Sequence, residues 1–66
     1  MIISRFTEPE LERFRKNCNF VNDECYVFEL RSQGIPLEQI AEILNLSIDA
    51  VKKISRKVNR KIIKVI

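Results

Sequence analysis

Apolar residues recur at helical spacing through most of the chain. Leu11, Phe14 and Cys18 stand at i, i+3 and i+7. Val27 and Leu30, joined by one of Tyr26 or Phe28, form a second stripe, and Ile40, Ala41 and Leu44 a third. The longest stripe is Val51, Ile54, Val58, Ile62 and Val65, at offsets 0, 3, 7, 11 and 14. Each matches one face of a helix with about 3.6 residues per turn. Alternation of period two never lasts beyond a few residues, and there is no internal repeat. The pattern predicts an all-α fold. It is a compact bundle of four helices in a single domain over 1–66, with helices near 8–17, 23–33, 37–44 and 48–64.

Start and stop signals set those limits. Thr7 and Glu10 fit a capping box, with Phe6 and Leu11 placed as a hydrophobic staple and Pro9 in the first turn, where its missing N–H costs nothing. Asn22 is the expected N-cap of the second helix, followed by Asp23 and Glu24, with Val21 and Tyr26 as a second staple. Gly34 fits a left-handed C-terminal stop, and Ile35 before Pro36 should be extended. Ser47 is a good N-cap for the last helix, which no Gly or Pro interrupts from Ser47 to Ile66.

The third and fourth segments carry a helix-turn-helix spacing. Counting from Leu37 as the first position, the pattern wants a small residue fifth and a left-handed turn residue ninth. Apolar residues belong at positions four, eight, ten, fifteen and eighteen. The chain supplies Ala41, Asn45, and then Ile40, Leu44, Leu46, Val51 and Ile54. A small side chain is needed where two steeply crossed helices approach across a turn of three or four residues. Asn is the non-glycine residue most tolerant of positive φ.

Charge changes the picture most. Residues 1–50 hold five Lys/Arg against nine acids, a balance of −4. Residues 51–66 hold Lys52, Lys53, Arg56, Lys57, Arg60, Lys61 and Lys64 with no acid, a balance of +7. That is more cation than a helix C-terminus needs for its own dipole, so it points to a polyanionic partner. Other classes recede. There is no His, which removes the commonest general base and metal ligand, so an enzyme is not expected. Two cysteines cannot complete a four-ligand zinc site, so no metal or cofactor is expected. Cys18 and Cys25 read instead as reduced thiols serving as small core hydrophobes. The longest apolar run, Cys25 to Phe28, is four residues, far short of the roughly 20 a membrane helix requires. Neither a spanning segment nor a secretory core is expected, and a cytoplasmic location follows.

The run NDECYVFELRSQGIPLEQIAEILNLSIDAVKKISRKVNRKI, about residues 22 to 63, resembles region four of bacterial sigma factors and small sigma-like or phage-type regulators. The match is carried by IAEILNLS, the Val–Ile pair after it, and the Lys/Arg string. Asn45 stands where that family often has Gly, and Pro36 where it often has a Ser or Thr cap. The resemblance implies a helix-turn-helix domain of the winged-helix-like DNA-binding superfamily. It implies a fourth helix in the major groove at promoter DNA, and contact with RNA polymerase. The other sigma regions are not in the sequence, so DNA binding and transcription regulation are implied ahead of promoter melting.

Residue assignments follow from the stripe on the fourth helix. Recognition helices use their N-terminal residues on base edges, which selects Ile48, Asp49, Lys52, Lys53 and Arg56. Asp49 has a second reading, as a first-turn acid serving the helix dipole. Ser47, Lys57, Arg60, Lys61 and Lys64 are assigned to phosphates, with Arg31 and Gln39 as weaker backbone contacts. The C-terminal IIKVI holds more aliphatic surface than one stripe absorbs. It suggests a homodimer through the C-terminal helix, or packing against Ile2, Ile3 and Phe6. The competing function is a sigma-like adaptor or decoy that binds RNA polymerase or another regulator without DNA, using the acidic body and a Tyr26/Phe28 surface.

Overall fold

The computed structural model describes residues 2–66. A 3-10 turn at Ile3–Arg5 leads into four helices: α1 (Glu8–Asn17), α2 (Asp23–Ser32), α3 (Leu37–Leu44) and α4 (Ile48–Val65). No strand is present among the described residues. The chain is the all-α bundle that its periodicity predicts, and each helix end lies within a residue of its expected place. No helix among the described residues is long and apolar enough to cross a membrane.

The punctuation works largely as anticipated. Glu10 N–H donates to Thr7 Oγ1 at 3.4 Å and Thr7 N–H donates to Glu10 Oε1 at 2.8 Å, completing the capping box. Gly34 takes φ +83°, a conformation that carries a Cβ only under strain. Asn45 takes φ 57°, ψ 44° and closes α3 in the left-handed region. Pro36 opens α3 with no side-chain cap. Ser47 Oγ accepts from Ala50 N–H at 3.2 Å and caps α4.

The start of α2 departs from expectation. Asn22 precedes the helix at φ 51° but makes no side-chain cap bond. The local donor is satisfied from inside instead: Val21 N–H donates to Glu24 Oε1 at 3.2 Å, while Glu24 N–H donates to Val21 O at 3.0 Å. The second staple does not form either, because Val21 and Tyr26 are both exposed. Phe28, not Tyr26, is the inward aromatic, so no Tyr26/Phe28 surface exists. Cys18 joins the core as expected, but Cys25 is exposed.

The core forms where these helices meet α4. Val27, Phe28, Ile40, Val51, Val58 and Ile62 are fully buried, with Ile3, Leu11, Phe14, Cys18 and Ala41 around them. Phe14 stands edge-on to Phe6 and Phe28, at centroid distances of 4.9 and 6.5 Å, and Phe20 covers Phe28 at 4.7 Å. Burying a side chain the size of Phe28 is worth about 1.5–3 kcal/mol, and an aromatic pair adds about 0.5–1.5 kcal/mol. The 3-10 turn packs on α2, which places Ile3 in the core and leaves Ile2 exposed.

Candidate nucleic-acid interface

Asn45–Ser47 is a three-residue turn between α3 and α4. Leu46 N–H donates back to Ala41 O at 2.9 Å, tying the turn to the small residue on α3. Ala41 is buried, and Leu44, Leu46, Ile48 and Ile54 pack against the core around it. This junction fixes where α4 begins, and therefore which of its faces reaches solvent.

The buried positions of α4 are Val51, Ser55, Val58 and Ile62. At about 100° per residue, the opposite arc of roughly 140° carries seven charged residues, Asp49, Lys52, Lys53, Arg56, Lys57, Arg60 and Lys64, together with the exposed Ile63. All seven are exposed. Six cations against one acid give this face a charge of +5. Among the described residues, no carboxylate lies within ion-pair distance of those six cations. From Lys52 to Lys64 the arc runs about 18 Å at 1.5 Å per residue. A major groove is about 12 Å wide, so this length covers the groove and the phosphates beyond one wall.

Three assigned residues sit differently from the expectation. Lys61 is not on the open face: its Nζ donates to Asn19 O and to Glu24 Oε1, both across the seam with the start of α2. An ammonium held by a mostly buried carboxylate is not available to a phosphate, so Lys61 leaves the phosphate set. Ile48 is half-buried against the core, which reduces what it can offer to a thymine methyl. Arg31 is turned onto α4, with Nη1 donating to Ser55 Oγ at 2.5 Å and to Asn59 Oδ1 at 3.3 Å. It is a tie between helices rather than a backbone contact, and burial pulls its pKa down. Gln39, Glu38 and Glu42 remain exposed on α3, and the two acids disfavour phosphate along that helix.

Ser47 already spends its hydroxyl on the cap. What the Ser47 cap leaves open is the start of α4, where the first N–H groups lack intrahelical partners. Asp49 is exposed within the cationic arc and serves the helix dipole in the free protein.

Two polar ties orient α4, and the sequence reading found neither. In the Glu24–Lys61 pair, burial alone would raise the Glu24 pKa. The Lys61 hydrogen bond, the Val21 N–H and the charges of Lys61 and Lys57 outweigh it, and the carboxyl ends below its ordinary range. The second tie, from Arg31 to Ser55 and Asn59, had a detectable signal: Ser55 falls on the buried stripe between Val51 and Val58, where a hydroxyl needs a partner. With Lys61 held near one end and Ser55 near the middle, α4 is fixed in rotation about its own axis.

No protein-family model matches the chain, and neither a curated protein nor a solved structure matches it.

Proposed function

We propose that the protein binds double-stranded DNA sequence-specifically, as a small cytoplasmic regulator of transcription whose α4 enters the major groove. The observation that carries this reading is the cationic arc of α4, six Lys/Arg on one exposed face with no carboxylate within ion-pair distance among the described residues. The turn at Asn45–Ser47 and the resemblance to sigma region four support the same reading. Asp49, Lys52, Lys53 and Arg56 address base edges, with a smaller part for Ile48. Lys and Arg suit guanine O6 and N7, and Asp49 suits the amino group of cytosine. Lys57, Arg60, Lys64 and the N–H groups following Ser47 hold phosphates.

The test is binding to a random-sequence duplex pool across a salt series, followed by selection of preferred sites. With about five cations engaged, log affinity falls against log salt with a slope of about −4 to −5. A chain that binds no duplex at low salt sinks the proposal and moves the function to a protein partner such as RNA polymerase. Ile63 and Ile66, 63% and 75% exposed near the end of α4, support a homodimer through this helix end. Sedimentation at micromolar concentration tests it, and a purely monomeric species retires it.

A further inference from the structure

Arg15 on α1 and Glu29 on α2 face each other, joined by bonds of 2.7 Å from Nε and 2.9 Å from Nη2. Residues three or four apart share a helix face. One turn on from Arg15, toward the segment connecting the two helices, stands Cys18. One turn back from Glu29, toward the same segment, stands Cys25. The register that pairs Arg15 with Glu29 therefore brings the two cysteines to the same seam. A second observation agrees: Cys18 and Cys25 both line one open cavity of about 310 Å³, with Arg15, Lys16 and Phe20. A third comes from α4. Lys61 Nζ bonds Asn19 O and Glu24 Oε1, the neighbours of Cys18 and Cys25 respectively, so one ammonium gathers both stretches of chain.

From this geometry we propose that Cys18 and Cys25 are an oxidative modification site, a dithiol that closes to an intramolecular disulfide on reaction with a peroxide. The two cysteines have different parts. Cys25 is exposed and meets the oxidant; Cys18 is buried and resolves it. The Cys25 thiolate attacks one peroxide oxygen, the O–O bond breaks, and a sulfenic acid forms as hydroxide leaves. The Cys18 thiolate then attacks the Cys25 sulfur, the S–OH bond breaks, and the S–S bond forms as a second hydroxide leaves. The two thiol protons convert both hydroxides to water. Two thiols are oxidised to one disulfide while one peroxide is reduced to two waters, and a small dithiol reverses the change. Burial raises the Cys18 pKa and the charge of Lys61 opposes that rise, consistent with a thiol that reacts second.

The bond closes a short loop around the segment that holds Lys61. It constrains the unfolded chain more than the folded one, so the oxidised form melts about 10–20 °C higher than the reduced form. This proposal is independent of DNA binding and stands or falls separately.

The experiment is titration of the full chain with hydrogen peroxide near one equivalent, read by intact mass with and without alkylation. The expected product is a monomer lighter by two hydrogens that takes up no alkylating agent until a dithiol is added, when both sites alkylate. Cys18→Ala, checked for helicity by circular dichroism, should stop at a sulfenic acid on Cys25 that dimedone captures. Cys25→Ser should leave Cys18 reduced under the same conditions. Three results overturn the proposal. One is a wild-type chain whose two thiols remain alkylatable. Another is oxidation that yields only disulfides between chains. The third is oxidation of Cys25 to sulfinic acid with Cys18 still free. The wild-type mass decides the matter even if the variant at buried Cys18 fails to fold.

Discussion

Arg15 on α1 is ringed by carboxylates: Glu29 at 2.7 Å, Glu12 at 3.1 Å and Glu8 at 3.5 Å, with its guanidinium carbon 5.8 Å from the Phe28 ring centre. Among the described residues, no carboxylate lies within ion-pair distance of the six cations on the open face of α4. They also repel one another, because Lys52–Arg56, Lys53–Lys57, Arg56–Arg60 and Arg60–Lys64 are all i, i+4 pairs. Like charges at that spacing cost about 0.2–0.5 kcal/mol per pair in an isolated helix, or about 1–2 kcal/mol for the four at low salt. The bonds of Glu29 hold the Arg15 pKa above its ordinary value, offset by burial and helped by the Glu29 charge and by Glu12 and Glu8. Around Arg15 charge serves the fold. On α4 it works against the isolated fold, and a bound polyanion would reverse that cost.

The largest expected effect breaks the comparison at its functional end. Replacing Lys52, Lys53 and Arg56 together with Ala should weaken duplex binding on the order of 100-fold or more, since each good base contact contributes on the order of 1 kcal/mol or more. The salt slope should change less than the affinity, because the phosphate contacts proposed for Lys57, Arg60 and Lys64 stay in place. Melting should hold or rise slightly at low salt, because all three side chains are exposed and three of the four like-charge pairs go with them. Fluorescence anisotropy across salt, with melting followed by circular dichroism, measures both. A variant that keeps its slope and affinity would mean that the open face of α4 does not touch DNA.

Glu24 lies on the other side of the comparison, since its partner Lys61 is a cation of the α4 series that an ion pair ties to the fold. Glu24→Gln leaves Lys61 without its carboxylate in a half-buried site and should cost about 1–3 kcal/mol. The pH dependence has a definite sign. The folded carboxyl sits below its unfolded value, so its contribution is full above that value, about pH 4.3, and is lost as pH falls through the lower folded value. The parent protein should lose stability on that acid limb more steeply than Glu24→Gln, in urea melts at stepped pH. Parallel limbs would remove Glu24 from the account of acid unfolding.

Next in size is Arg15→Gln. It removes the two bonds to Glu29 and the cation that Glu8, Glu12 and Glu29 share. The group is about a third exposed, so solvent screening limits the loss to about 1 kcal/mol. Duplex affinity should change little. A stability unchanged within error would show that the ring of acids is a surface ornament rather than part of the fold.

The same contrast marks what could be seen in the sequence. The helices were legible because punctuation and periodicity agree locally: Thr7 with Glu10, Gly34 at positive φ, and Asn45 and Ser47 around the turn each act within four residues. The cationic arc was legible because solvent faces follow from the buried stripe. What escaped was long-range. Lys61 lies 37 residues from Glu24 and Arg31 lies 24 from Ser55, and no local rule joins partners so far apart. Lys61 therefore looked like one more phosphate ligand, and Arg31 like a surface cation. Cys25 was misplaced for another reason: the apolar run Cys25–Phe28 gives no helical phase, so the turn that exposes Cys25 and Tyr26 while burying Val27 and Phe28 is fixed only by packing on α4.

The smallest effect tests the comparison most closely, because it asks for opposite signs from the same kind of substitution. Arg60 is exposed and flanked by Arg56, Lys57 and Lys64 at helical spacing. Gln has a helix propensity close to that of Arg, so Arg60→Gln changes charge with little else. Where Arg15→Gln destabilises, Arg60→Gln should stabilise the free protein, by about 0.5 kcal/mol at low salt. The gain should vanish near 1 M salt, where the screening length is about 3 Å. Duplex binding should lose about one unit of salt slope in the same variant. If Arg60→Gln lowers stability at low salt, the arc is satisfied within the fold in some way that its unpaired geometry does not express. The case for a polyanion relieving it then loses its energetic ground, even where binding persists.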